Sequence, residues 1–370
     1  AGTIALSHGE CQGKGRGLRK SENFSTVPGN HQQKTKETGG MIMKIESFRQ
    51  AAIGIGLFVF CLASSLAQAG EIAKSPYGPD DEIGVLNELT QANTLAVLQR
   101  VSSGKTYDLS VDNFVGMPGL ADLGMGDPPF HMWLTHTPRG LRVEEVSPAG
   151  SPLGLALYDD AYTLSAHTGT HIDALNHLGR GEKIFNGYDA STYLSDKGWT
   201  KAGADKVPPI ITRGILIDVA GEKGMTMLPD SYAITTQDLQ RAIKKQDIAL
   251  QKNDAVLIRT GRMTAWPDPK EYVHNDPGIT RASAAWLVDH GAVIIGADNM
   301  GVEKFPMAKD SVHVYLFTER GICLLELLWL EDLAKDRGYE FAFIAAPIKM
   351  RGATGSPIRP IALPISTSQD

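Results

Sequence analysis

Apolar and polar positions along the chain sort into two regimes. Ala51–Ala67, AAIGIGLFVFCLASSLA, is apolar or small at nearly every position. Beyond residue 70, short apolar runs alternate with stretches of helical spacing. Gly214–Val219, Ala255–Arg259, Ala292–Gly296 and Phe341–Ala345 are rich in Val and Ile, Phe or Ala, and are bounded by turn-forming or charged residues. Such runs predict buried strands. Thr106–Ser110 predicts an earlier strand, and the Gly- and Pro-spaced residues 114–130 predict a loop. Leu89–Val101, Thr236–Gln246, Arg281–His290 and Ser311–Arg320 have helical character, with Thr90, Thr235 and Thr280 at N-cap positions. Strands alternating with helices predict one α/β domain.

The first apolar run belongs to a different kind of segment. Lys44 and Arg49 precede it, and Ala67-Gln68-Ala69 closes it with a small-residue cleavage pattern. Residues 44–69 therefore read as a secretory signal peptide cut after Ala69. The run has 17 residues, two glycines and two serines, short of the roughly 18–20 apolar residues of a span. The expected product is periplasmic or secreted, with no stable membrane anchor. Residues 1–43 are polar and aperiodic and read as a leader, either untranslated or disordered. The working domain is then 70–370.

That division alters charge and cysteine content. The full 370 residues carry a net charge of −6. Removing the eight basic and four acidic residues before Gly70 takes it to −10, which excludes a nucleic-acid partner that depends on a basic surface. Of Cys11, Cys61 and Cys323 only the last remains, so no internal disulfide forms. Cys323 lies in an apolar run and is expected to be a buried, inert thiol.

Candidate chemistry concentrates in His167-Thr168-Gly169-Thr170-His171-Ile172-Asp173-Ala174-Leu175-Asn176-His177. Imidazole and carboxylate this dense suit a divalent ion such as Zn, Mn or Fe. The three histidines and Asp173 are at odd positions, so a strand would aim them at one face. A straight strand would separate His167 from His171 by about 13 Å, so the chain must bend, and Gly169 permits it. His177 can return only if the chain turns or becomes helical after Asp173. His167, His171 and Asp173 are the expected ligands, leaving open positions that mark a catalytic rather than structural site. An ion there lowers the pKa of a bound water, and His177 is the expected general acid/base. A G-x-S-x-G elbow, H-E-x-x-H, C-x-x-C and a P-loop are all absent from the sequence.

The eleven residues resemble the signature of the metal-dependent "cyclase" hydrolases, the family of bacterial kynurenine formamidase and isatin hydrolase. The pattern there is His-x-Gly-Thr-His-x-Asp, then Pro and His; here Leu175 stands at the Pro position. Tyr107-Asp108-Leu109-Ser110, Leu257–Gly261, Gly296-Ala297-Asp298 and Gly355–Pro360 extend the likeness. The resemblance implies a swivelling β/β/α fold in a single domain, assembled as a homo-oligomer. It implies hydrolysis of an aryl formamide or a cyclic amide, with His167, His171 and Asp173 as ligands and His177 as the catalytic histidine. It also implies a second metal position at His313 and Glu326, so one or two ions, Zn or Mn. Glu326 sits among leucines, where a buried carboxylate needs a metal or a salt-bridge partner. Trp133, flanked by His131 and His136, is the candidate wall for an aryl substrate. Lactone hydrolysis or cyclisation on the same site, and a non-catalytic periplasmic metal- or ligand-binding protein, are the alternatives.

Overall fold

Burial on both faces explains why the four apolar runs become neighbours in one sheet. The computed structural model describes residues 72–136, 158–273, 275–309 and 311–366. The leader and the signal peptide lie outside the described residues. Among the described residues nine strands form the sheet: β1 (Tyr107–Asp108), β2 (His171–Asp173), β3 (Ile210–Asp218), β4 (Asp254–Arg259), β5 (Ala292–Ala297), β6 (Cys323–Glu326), β7 (Glu340–Ala345), β8 (Gly355–Pro357) and β9 (Ile361–Pro364). Their order is β1-β9-β7-β3-β4-β5-β6-β2-β8. From β3 to β6 neighbours run parallel, and both flanks are antiparallel. Every residue of β4 and β5 is buried, as expected for parallel strands covered on both faces.

The helices begin where their caps dictate. Thr235 accepts from the Asp238 amide while Asp238 accepts from the Thr235 amide, closing a capping box ahead of helix Thr236–Gln246. Thr90 with Asn93 does the same for Gln91–Gln99, and Thr280 caps Arg281–Asp289. The expected helical stretch Ser311–Arg320 is helical, but in two parts. Ser311 caps only one α turn, Val312–Val314, and Tyr315–Arg320 winds wider as a π-helix to Gly321. The Thr318 hydroxyl donates to the Val314 carbonyl there, and the widening turns Leu316 and Phe317 into the core.

The run expected to hold an inert thiol is also strand β6. Cys323 is fully buried and reduced, and burial pushes its thiol up out of the reactive range. More consequential is the pairing of β6 with β2. Glu326 lies opposite His171 and Leu324 opposite Asp173. Directly opposed residues of antiparallel strands share a face, so Glu326, His171 and Asp173 converge. Strands His131–His136 and Asp159–Thr163 form a separate ribbon that leaves Met132, Trp133, Leu134 and Tyr162 exposed. No helix among the described residues is long and apolar enough to cross a membrane.

Candidate metal centre

The site begins at a backbone bend. Gly169 has φ +65°, and a Cβ there would come within 2.2 Å of the Asn113 side-chain oxygen. Only glycine fits. The bend folds residue 167 back over β2. His171 Nδ1 lies 2.8 Å from the Gly169 carbonyl, to which it donates, leaving Nε2 facing the interior. That Nε2 is 3.3 Å from both Asp173 Oδ1 and Glu326 Oε2, yet out of line for a hydrogen bond.

The other histidines close around this pair. His167 Nδ1 is 2.7 Å from Asp173 Oδ1, and its Nε2 is 2.9 Å from Thr354 Oγ1. Gly355 lies so close under the ring that a Cβ would approach Cε1 to 2.7 Å. After Asp173 the chain turns rather than becoming helical, with the His177 amide donating to the Ala174 carbonyl. The turn lays the His177 ring on His167, centroids 3.9 Å apart. His313 arrives from the short α turn, its Nε2 3.0 Å from Glu326 Oε1 and 3.9 Å from Asp173 Oδ2.

All six residues singled out for metal and proton chemistry meet here. Two donor groups form: His167, Asp173 and His177, and His171, Asp173 and Glu326, each with ligand atoms within 4.8 Å of one another. Asp173 belongs to both. This grouping sets His177 beside His167 rather than outside the donors. Trp133 is different: it stands half-exposed on the ribbon, and among the described residues no ring contact or hydrogen bond joins it to the cluster.

Buried polar atoms ordinarily have partners. Here His171 Nε2 and Asp173 Oδ2 are buried with none among the described residues. An imidazole nitrogen and a carboxylate oxygen orphaned side by side fit a divalent ion of the Zn, Mn or Fe kind. The protonation pattern agrees. Burial opposes ionisation of Asp173, but His177 and His167 hold its carboxyl well below the usual range. Burial likewise opposes charge on His171, yet Asp173 and Glu326 push it up to about 10. His313 is pushed up to about 10 by Glu303 and Glu326 against the same penalty. His177 goes the other way: burial pushes it down to about 4, with Asp173 only partly opposing.

Both imidazoles are thereby shifted toward their protonated forms, which an ion would have to displace. Zn²⁺ uptake at pH 8 is expected to release one proton from each of His171 and His313, and affinity should rise with pH. Titration calorimetry in buffers of different ionisation enthalpy measures this; zero net release would contradict it. The sign for stability follows separately. In the metal-free protein these raised imidazoles stabilise fully below the unfolded value near 6.5, and the contribution is lost as pH rises through about 10.

Two supporting residues escaped the sequence reading. Thr354 offers no motif. Glu303 accepts from His313 Nδ1 at 2.6 Å, and a lone Glu after a Gly-Val pair carries no pattern to find it by.

Comparison with known proteins decides the family. The Cyclase family model matches residues 102–304. The chain belongs to the cyclase family. A solved structure described as a novel cyclase is 30% identical with TM-score 0.68, covering 78% of this chain and 97% of that one. Cyclase-like protein 3 of Oryza sativa subsp. japonica is 27% identical over 213 residues, 57% of this chain and 68% of its own. A kynurenine formamidase of Bacillus mycoides (strain KBAB4) is 27% identical over 206 residues, 55% of this chain and 78% of its own. Isatin hydrolase A from Labrenzia aggregata, bound to benzyl benzoate, shares the fold: TM-score 0.53 at 20% identity, over 75% of this chain and all of that one. The cyclase fold expected from the signature is thus the fold observed.

Proposed function

We propose that this cyclase-family chain is a metal-dependent hydrolase that cleaves an amide, either an aryl formamide or a cyclic amide. The observation that carries the reading is the pair of orphaned buried donors, His171 Nε2 and Asp173 Oδ2, inside a ring of imidazoles and carboxylates. The relatives named kynurenine formamidase support the amide class. A divalent ion bound there supplies Lewis acidity, making water nucleophilic near neutral pH and steadying charge on the carbonyl oxygen.

The protein's own groups supply the proton traffic. His177 is neutral at physiological pH because burial holds it near 4. Neither of its ring nitrogens holds a hydrogen bond among the described residues, so a lone pair is free to accept the proton of the attacking water. The same ring returns it to the departing nitrogen. Asp173 stays ionised between His167 and His177 and holds the His167 ring in place.

The test is turnover by the Zn- or Mn-loaded protein across aryl formamides, cyclic amides and lactones. Amide cleavage is expected, and His177→Ala should lower kcat by about 10²–10⁴-fold with ion content unchanged. Cleavage of lactones alone would replace the amide reading. Full metal with no turnover would favour a binding protein, and loss of the ion in the variant would make His177 a ligand instead.

A further inference from the structure

We infer that Glu303 is a positioning residue that orients His313 toward the metal position it shares with Glu326 and Asp173. The inference rests on the proposal that this position holds an ion. Glu303 is buried and reaches none of the other cluster residues through a hydrogen bond. Its carboxylate is instead consumed by a single turn. Oε1 accepts from the Ser311 hydroxyl at 2.9 Å, the His313 amide at 3.1 Å and His313 Nδ1 at 2.6 Å, while Oε2 accepts from the Val312 amide at 3.2 Å.

The consequence for His313 is geometric. With Nδ1–H committed to Glu303, the ring cannot flip, and Nε2 points at Glu326 Oε1 and the orphaned Asp173 Oδ2. A carboxylate behind a ligating imidazole fixes its tautomer and raises its basicity as a donor.

A second observation bears on the same residue. Val302, immediately before it, is buried at φ +54°. A β-branched residue in the left-handed region is strained and persists only where its surroundings over-determine it. On the far side Gly278 lies so close that a Cβ would come within 2.3 Å of the Glu303 carbonyl carbon. The backbone is thus held from both directions at the residue whose carboxylate aims His313.

Co²⁺ titration of the metal-free protein, followed by visible absorption and calorimetry, tests this. Glu303→Gln keeps the size but puts an amide where the turn presents only donors. It should weaken the ion at the His313 position about 10–100-fold and alter its absorption band, leaving the other position unchanged. In a His313→Ala background the same substitution should have no further effect on affinity, because Glu303 acts through that ring. Should Glu303→Gln not fold, Glu303→Asp retains the charge while withdrawing the carboxylate, and the same loss of affinity is expected. If His313→Ala loses the ion but neither Glu303 variant changes affinity, Glu303 only caps the turn and the inference is overturned. If His313→Ala binds Co²⁺ as the wild type does, His313 is not a ligand and the inference fails, while the proposed function, which rests on His171 and Asp173, stands.

Discussion

On the proposed function, Asp173→Asn is expected to abolish metal binding. Asp173 is the member common to both donor groups, so its loss takes a candidate ligand from each. Its Oδ1 also aligns the His167 ring at 2.7 Å, and Oδ2 is one of the two orphaned donors. Asn has nearly the same shape and no charge, so packing is preserved while the ionised oxygen pair is lost. Outer partners of metal ligands are worth about 10–100-fold in affinity; a shared ligand should be worth more. On the proposed amide hydrolysis, we expect Zn²⁺ to be lost on dialysis and kcat/KM toward the best amide to fall by about 10³-fold or more. Elemental analysis measures the first and steady-state kinetics the second. A variant that retains wild-type metal after dialysis would show that Asp173 is not a ligand.

The second large effect lies in the sheet, away from the chemistry. Arg213 on β3 forks onto Asp254 at the start of β4 through Nε and Nη2, at 2.8 and 2.7 Å. Its Nη1 reaches Glu340 at the start of β7 at 2.9 Å, and Nη2 also donates to the Ala249 carbonyl. One side chain thus joins three adjacent strands. Asp254 is only 1% exposed at its side chain, and burial pushes its carboxyl up even beside Arg213. Arg213→Met leaves that carboxylate buried without its cation, which costs about 3–5 kcal/mol. The urea midpoint should fall accordingly at unchanged slope. Adding Asp254→Leu should recover much of the loss, because a buried pair replaced by apolar groups is often nearly neutral. An unmoved midpoint in the single variant would mean that solvent already screens the pair.

How much of this was legible depends on how local the signal is. Thr235 and Thr280 marked helix starts because a cap acts within three residues. The β-branched runs marked the sheet interior because burial on both faces leaves no polar alternation to misread. Ser311–Arg320 was legible as helical, but its winding was not. Its composition suits a helix, but the widening after Val314 follows from where Leu316 and Phe317 find room in the core.

By itself the sequence determined the chemistry of the site: three histidines and an aspartate within eleven residues, a glycine where the chain had to bend, and the family signature that they spell. Those features were readable because ligand spacing and backbone freedom are local properties. The tertiary structure alone decided what the cluster is paired with. Register between β2 and β6 sets Glu326 opposite His171, and one residue of slip would turn it to the other face. The Ser311–His313 turn sets His313 on Glu303. The turn after Asp173 sets His177 on His167. Each is a contact between segments whose approach depends on strand pairing and core packing, energies that no window of sequence contains.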